Sequence, residues 1–417
     1  MFLKRNKVFR IMRNNSWFLF SPFLLLYLII SIAFAQNALV GDEGRYLAFA
    51  HNLLNGFYSP PAPEINLWNG PGYPLLISII LMLKLPLIAI RLINGILLYF
   101  SLIITFKTIN DYSSKKQALF FTIFLGLYFP IFQMLPLILT ESFSWFLISL
   151  VCFVFIKNFK QKSISFKYIM LSSVSITFLA LTKVIFGYVI ISMLVVSIFM
   201  YFLPKFHSVA KKSTIIFLLS FIFCMPYLIY TYNLTNKLFY WTNSGSMSLY
   251  TMSTPFENEL GDWHNTSKLL SNPNHTAFID SINQLEPLNK DEAFKAKAIE
   301  NIKNHPQKYF TNWIANVGRL LFSYPYSNAE QSIKTYFTII PNMFIVVFIV
   351  FAAAISMVRY KNFPKEILLL LFFVIIYLFG SSLVSAYRRM FYITMPFWIL
   401  FISYVFTNVI KIKFKQD

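Results

Sequence analysis

The chain has 417 residues, 57% of them hydrophobic and only 12% charged, with a net charge of +20. Soluble domains carry about 25% charged residues, so this composition excludes an ordinary soluble globular protein. Apolar runs of membrane-spanning length recur along the chain and define a polytopic membrane protein.

The first apolar segment, 17–35, follows a basic start with Lys4, Arg5, Lys7, Arg10 and Arg13. It ends in "AFA" at 33–35, in the style of a signal-peptide cleavage site. Its run of about 18 residues is long for such a peptide, and further apolar segments follow, so it reads as a retained first span. Residues 36–87 then form a first outer loop. Within it, "YPLLISIILML" at 73–83 is apolar but short of the ~20 residues a spanning helix needs. It reads as an interfacial helix.

The remaining apolar segments are 88–106, 117–134, 141–156, 168–182, 184–203, 213–232, 336–358, 366–386 and 391–410. With the first they predict about ten spans. Basic clusters lie between them: Lys107/Lys115/Lys116, Lys157/Lys160/Lys162/Lys167, Lys205/Lys211/Lys212, Arg359/Lys361/Lys365 and Lys411/Lys413/Lys415. Only Asp111, Glu366 and Asp417 oppose them. The positive-inside rule puts these clusters and both termini in the cytoplasm. The charge is therefore topology, and a nucleic-acid partner is not indicated.

Residues 233–335 are the one soluble-looking stretch, on the outer side. Its segment "NKDEAFKAKAIENIKNHPQKYFTNWIANVGRLL" has helical periodicity, with an acidic start and a basic end that suit the helix dipole. The expected architecture is thus all-α. An N-terminal transmembrane module, 1–232, carries the outer loop 36–87. A small extracytoplasmic domain, 233–335, follows, and then C-terminal transmembrane helices, 336–417. Cys152 and Cys224 sit inside apolar runs and read as buried, inert thiols.

Asp42 and Glu43, in "VGDEGRYLAFA", are adjacent carboxylates at the first exit from the membrane. Such a pair suits a base or a ligand for a hard divalent cation. It equally suits an ordinary helix start, and both readings stay open. Glu141, in "MLPLILTESFSWFLISL", is an ionisable group at the edge of a long apolar stretch. That is costly, and it makes Glu141 a site candidate. Arg45, Lys183, Arg388 and Arg389 place positive charge on the outer side, where it suits either a lipid phosphate or interfacial anchoring. His264, His275 and His305 fit no metal spacing and read as solvated or locally hydrogen-bonded. Phosphate loops, Gly-x-Ser-x-Gly elbows and Cys/His ligand sets are missing from the sequence.

The chain resembles the GT-C class of membrane glycosyltransferases, and within it the branch of protein O-mannosyltransferases and lipid A aminoarabinose transferases. "GDEGRYLAFAHNLLNGFY" is similar to that branch's first outer-loop signature. "GPGYPLLISIILML" is similar to its Pro-rich stretch, and "RLINGILLYFSLIITFK" to the span that follows. "LPLILTESFSWFLISL" is similar to its second acidic element and "LALTKVIFGY" to its Leu-Thr-Lys/Arg turn. "YWTNSGSMSLYTMSTP" and "IKNHPQKYFTNWIANVGRLLFSYP" are similar to outer-domain segments. Each motif is weak; their shared order along most of the chain is more specific.

The resemblance implies inverting transfer of a sugar from a polyprenyl-phosphate donor to an extracytoplasmic acceptor, which is a lipid, glycan or protein. It implies a multi-pass protein of a bacterial inner membrane. It implies Asp42 as base, with Glu43 assisting or binding metal, and Glu141 completing a Mg or Mn site or positioning the acceptor. It implies Arg45, Tyr46, Lys183, Arg388 and Arg389 on the substrate. The aminoarabinose transferases carry a Glu-Lys pair before a double proline; here that place reads "LWNGPGYP", with Trp68 and Asn69. Lys84 or Lys183 would have to replace the missing lysine. A lipid-linked-sugar flippase is an alternative, though transporters place ionisable groups near the midplane and show repeats. A polysaccharide polymerase or ligase is another, though the large outer loop has one arginine, Arg319.

Overall fold

The computed structural model describes residues 15–161, 163–327, 332–358 and 363–410, and every regular element among them is helical. The basic groups at 4–13, at 359 and 361 and at 411–415 lie outside the described residues.

The chain enters through α1 (Ser16–Leu19), capped by the Asn15 side chain, and α2 (Ser21–Ala33). The first loop carries α3 (Glu43–Leu54) and α4 (Gly72–Met82). Next come α5 (Leu87–Asn110), α6 (Lys115–Gly126), α7 (Glu141–Lys160), α8 (Phe166–Thr182), α9 (Ile185–Tyr201) and α10 (His207–Thr235). A unit of five helices follows: α11 (Gly245–Met252), α12 (Thr266–Leu270), α13 (Pro273–Ile282), α14 (Pro287–Asn304) and α15 (Pro306–Phe322). The chain closes with α16 (Tyr336–Val358), α17 (Lys365–Ser382), α18 (Arg388–Tyr392) and α19 (Met395–Tyr404).

Among the described residues, five helices are long and apolar enough to cross a membrane, within 87–110, 141–160, 204–235, 333–358 and 365–382. Shorter apolar helices are α2, α4, α8, α9 and the stretch 395–409. The expected span 117–134 is not one helix. After α6, about 18 Å long at 1.5 Å per residue, the chain turns and enters a 3₁₀ segment, Phe129–Met134, with Pro130 in its first turn. Proline tolerates that position because its missing N–H has no helical partner there. The expected span 391–410 is likewise broken into α18, α19 and a π turn at Val405–Val409. The interfacial segment is a helix, α4, of only 11 residues.

Side-chain hydroxyls bond across the apolar bundle. Between α8 and α10, Ser173 donates to the Ile216 carbonyl at 3.1 Å and Thr177 to that of Ser220 at 3.1 Å. Small hydroxyl residues let two helices approach closely where no water competes. The rings of Phe186 and Tyr377 stack at 4.2 Å and join α9 to α17.

Helix α7 sets the polarity of the bundle. Its 20 residues span about 30 Å, with Glu141 at one end and Lys157 and Lys160 at the other. At the lysine end, Lys157 pairs with Asp111 at 2.7 Å and Tyr112 donates to Glu366 at 2.7 Å. Basic clusters predicted to share one side therefore meet at one end.

The five-helix unit has its own core of Met247, Tyr250, Leu269, Ile279, Ile282, Phe294 and Ala298. The long periodic segment beginning at Asn289 is two helices, α14 and α15, broken at His305 before Pro306, which cannot donate to the preceding turn. His275 is buried, not solvated. Its Nε2 bonds Glu259 at 3.0 Å and its Nδ1 bonds the Tyr250 hydroxyl at 2.8 Å. Burial alone would raise the Glu259 carboxyl; hydrogen bonds from His275, Thr254 and Asn274 outweigh it and bring it to about 2. His264 is buried as well, 3.6 Å from Asp262, and His305 is exposed.

Candidate active site

Four places in the fold bring charge to the end of α7 opposite its lysines. The first is the start of α3. Asp42 occupies its N-cap position, yet its side chain caps no amide. It pairs instead with Arg45, one turn on, and with Arg389 Nη2 at 2.8 Å. The helix-start role, sufficient on sequence grounds, is not the role this carboxylate takes. Burial opposes its ionisation, but Arg389, with Arg45 and Lys183, outweighs that effect and holds the carboxyl below its ordinary range.

The second place is the start of α7. Glu141 is fully buried, and its Oε1 accepts from Lys183 Nζ at 2.9 Å. Its Oε2 has no hydrogen-bond partner. The third is the junction after α8, which carries Lys183, and the fourth is the start of α18, which carries Arg389. Its Nε stands 3.8 Å from Glu141 Oε1 while its Nη2 holds Asp42. The five groups Asp42, Arg45, Glu141, Lys183 and Arg389 thus form one cluster. The Tyr387 ring lies 5.4 Å from the Arg389 guanidinium and walls it on one side.

The Gly-Pro-Gly turn at 70–72 positions Lys183. A Cβ on Gly70 would fall 2.2 Å from the Leu181 carbonyl oxygen, and one on Gly72 would fall 2.4 Å from Thr182 Oγ1. Only residues without a Cβ let this loop lie directly on the backbone that presents Lys183.

Among the other predicted residues, Tyr46 borders this cluster, beside Asp42, Glu141 and Arg389, and the rest face elsewhere. Glu43 is fully buried; its Oε2 accepts from the Val40 amide at 2.6 Å and its Oε1 from the Ile138 amide at 2.7 Å, with Arg91 at 3.7 Å. It ties the start of α3 to the loop before α7. Tyr46 is packed against Tyr73, with rings 5.4 Å apart, and its hydroxyl accepts from Asn69. Arg388 donates to Thr338 at 3.0 Å and Gln133 at 3.1 Å, facing α16. Lys84 is exposed just beyond the far end of α4.

Sequence reasoning did not assign Arg91, although an arginine inside an apolar run is itself a signal. Trp68 and Asn69, noted only as a departure from the resemblance, have a definite place. Asn69 accepts from Arg45 Nε at 3.1 Å, and the Arg45 guanidinium lies 5.2 Å from the centre of the Trp68 ring.

The carboxylates expected to bind a divalent cation are engaged by side-chain cations or by backbone amides. Two carboxylates are already matched by three cations, Arg45, Lys183 and Arg389. Glu43, the third acid expected there, is committed to backbone amides. Among the described residues, no three His, Cys, Asp or Glu side chains gather as a metal site.

No family model and no curated protein matches the sequence. Two solved structures are similar to most of the chain. One is the crystal structure of the Archaeoglobus fulgidus oligosaccharyltransferase tethered with an acceptor peptide, with a TM-score of 0.50 at 13% identity over 94% of this chain. This chain covers only 50% of that protein, so it spans about half the length of the structure it matches. The other is ArnT from Cupriavidus metallidurans bound to undecaprenyl phosphate, with a TM-score of 0.43 at 12% identity, covering 93% of this chain and 77% of that one. Both are GT-C glycosyltransferases. The fold of this chain is thus similar to that of the oligosaccharyltransferase.

Proposed function

We propose that the chain is an inverting glycosyltransferase that moves a sugar from a polyprenyl-phosphate carrier to an acceptor hydroxyl on the outer face of a membrane. The observation that carries this reading is the bridging of Asp42 and Glu141 by Arg389 at one end of the bundle. A lipid-borne donor is met at headgroup depth, and this cluster stands at the end of a helix of membrane-spanning length.

In the reaction, the acceptor oxygen attacks C1 of the sugar. The bond from C1 to the phosphate oxygen breaks, and its electron pair leaves with the lipid phosphate. The acceptor proton passes to Asp42. A carboxylate held ionised by two guanidinium groups is a weak base, so it takes the proton late, as the acceptor hydroxyl becomes acidic in the transition state. Arg389 and Arg45 then face the charge that grows on the leaving phosphate, and a fixed guanidinium stabilises such charge without reorganising. Glu141 holds Lys183 and Arg389 in place. Glu43, which makes no contact with this cluster, fixes the loop that carries Glu141. No step runs through a metal ion.

The test is turnover of radiolabelled polyprenyl-phosphate sugars by the purified protein in proteoliposomes. The reading requires release of polyprenyl phosphate and a new glycosidic bond of inverted anomeric configuration. Movement of intact donor across the bilayer with no new bond would make the chain a transporter instead.

A further inference from the structure

A separate cavity of about 540 Å3 lies between the first outer loop and the five-helix unit. Its volume is within the ~300–1,000 Å3 of small-ligand sites. Glu64, Asn66 and Trp68 line it from the loop, and Asn243, Glu286 and Asp291 from the facing side. Lys290 also lines it, with its Nζ bonded to the Asn283 carbonyl at 3.2 Å. Three carboxylates around one ammonium repel anions, so a phosphate is a poor occupant.

Two oxygens of the lining residues have no hydrogen-bond partner: Asp291 Oδ1 and Asn243 Oδ1. Their side chains are 7% and 8% exposed. Each residue is fixed by its other polar atom, since Asp291 Oδ2 accepts from the Tyr240 hydroxyl at 2.8 Å and Asn243 Nδ2 donates to the Ile65 carbonyl at 3.4 Å. The open part of the lining carries Glu64, Asn66, Gln284 and Glu286, side chains with acceptor oxygens that a ligand rich in O–H or N–H donors satisfies. Trp68 adds an apolar aromatic face. The same indole stacks on Arg45, which pairs with Asp42. The cavity is thus one side chain removed from the charged cluster.

We infer that this cavity holds the acceptor, and that the acceptor is a glycan end, uncharged or cationic. A saccharide ring offers a rim of hydroxyl donors to Glu64, Asn66 and Glu286 and a C–H face to Trp68. The inference rests on the transferase reading for the word acceptor, and on the cavity alone for the class of ligand.

Two experiments separate these parts. In the first, Leu285→Cys places a thiol on the exposed lip of the cavity, while the native Cys152 and Cys224 are buried and do not compete. Maleimide labelling is timed with methyl α-mannoside, methyl α-glucoside, a chitobiose glycoside or inorganic phosphate. Protection by at least one glycoside and none by phosphate supports a glycan site. Protection by phosphate alone, or by none of the probes, overturns it. In the second, Leu285→Trp and Thr266→Trp each put a large side chain into the cavity. Transfer to glycan acceptors should fall about tenfold or more, while slow hydrolysis of the donor by water stays within about twofold, because only acceptor contacts are lost. Unchanged transfer in both folded variants, or equal loss of both activities, overturns the inference. A parent that binds glycosides yet neither transfers nor hydrolyses leaves the glycan site standing and defeats the transferase reading.

Discussion

Arg389 donates to Asp42 at 2.8 Å through one nitrogen and lies 3.8 Å from Glu141 through another. One guanidinium near the C-terminal end of the chain thereby joins the start of α3 to the start of α7. A planar group with donors on several edges is needed for this, and lysine, a point charge, reaches one partner only. Arg389→Lys should therefore lose most transfer, about a hundredfold in kcat/KM. Arg389→Ala, which leaves two poorly solvated carboxylates without their shared partner, should also lower stability by about 3–5 kcal/mol. Steady-state kinetics and thermal unfolding in detergent check the two effects.

The Asp42 carboxyl titrates below its ordinary value because Arg389, Arg45 and Lys183 outweigh its burial. A depressed carboxyl contributes stability that is complete above the unfolded value, about 3.9, and is lost as pH falls through the folded value. Transfer should likewise hold its full rate down to about pH 4 where this group is concerned. Arg45→Gln removes one of the cations that hold the carboxyl down, so the acid limb of the rate profile should move to higher pH.

Gly72 lies against the backbone that carries Lys183, and a methyl group there meets Thr182 Oγ1 at 2.4 Å and the Thr182 amide at 2.7 Å. Gly72→Ala should destabilise the protein by about 1–3 kcal/mol, as overpacking does, and should lower activity through Lys183. Gly44→Ala meets nothing within 4 Å and is the control. Melting temperature and turnover of the two variants should diverge.

Glu259, at about 2, binds its proton much less readily than a free glutamate because His275, Thr254 and Asn274 outweigh its burial. Its contribution to stability is complete above the unfolded value, about 4.3, and fades as pH falls towards 2. Glu259→Gln should remove that dependence. The variant should be less stable than the parent at neutral pH, with the difference closing as pH falls towards 2, and unfolding followed by tryptophan fluorescence at several pH values checks this.

Much of the arrangement is legible in the residues, and the losses have physical causes. Asp42, Glu141, Lys183 and Arg389 stand out because charge at the edge of an apolar run is costly, and the structure gathers them. Glu43 stands out by the same rule but faces the backbone, because adjacent residues on a helix start point to different sides. Arg388 and Arg389 are likewise neighbours with opposite partners. Hydropathy finds apolar length but not continuity. The 117–134 run reads as one span, although Pro130 and the turn before it divide it. The division of the five-helix unit at Pro306 is written in the sequence and yields to the periodicity on either side. The cavity behind Trp68 has no local signature, since its walls come from stretches far apart in the chain.

Two carboxylates are paired with three side-chain cations, and on the proposed mechanism these supply the charge of the site, so transfer should be insensitive to EDTA and unchanged by added Mg or Mn. Loss of activity on chelation, with recovery on returning the metal, would contradict this charge assignment. The assay is transfer with and without chelator at constant ionic strength.

The most direct measurement of the central claim is transfer from a radiolabelled polyprenyl-phosphate sugar by membranes carrying Asp42→Asn or Glu141→Gln. Removing a positioned base costs about 10²–10⁴-fold. The account predicts a loss of that size for Asp42→Asn, and a loss of at least about tenfold for Glu141→Gln through the misplacement of Lys183 and Arg389, with both proteins folded. Transfer equal to the parent in both variants would contradict it.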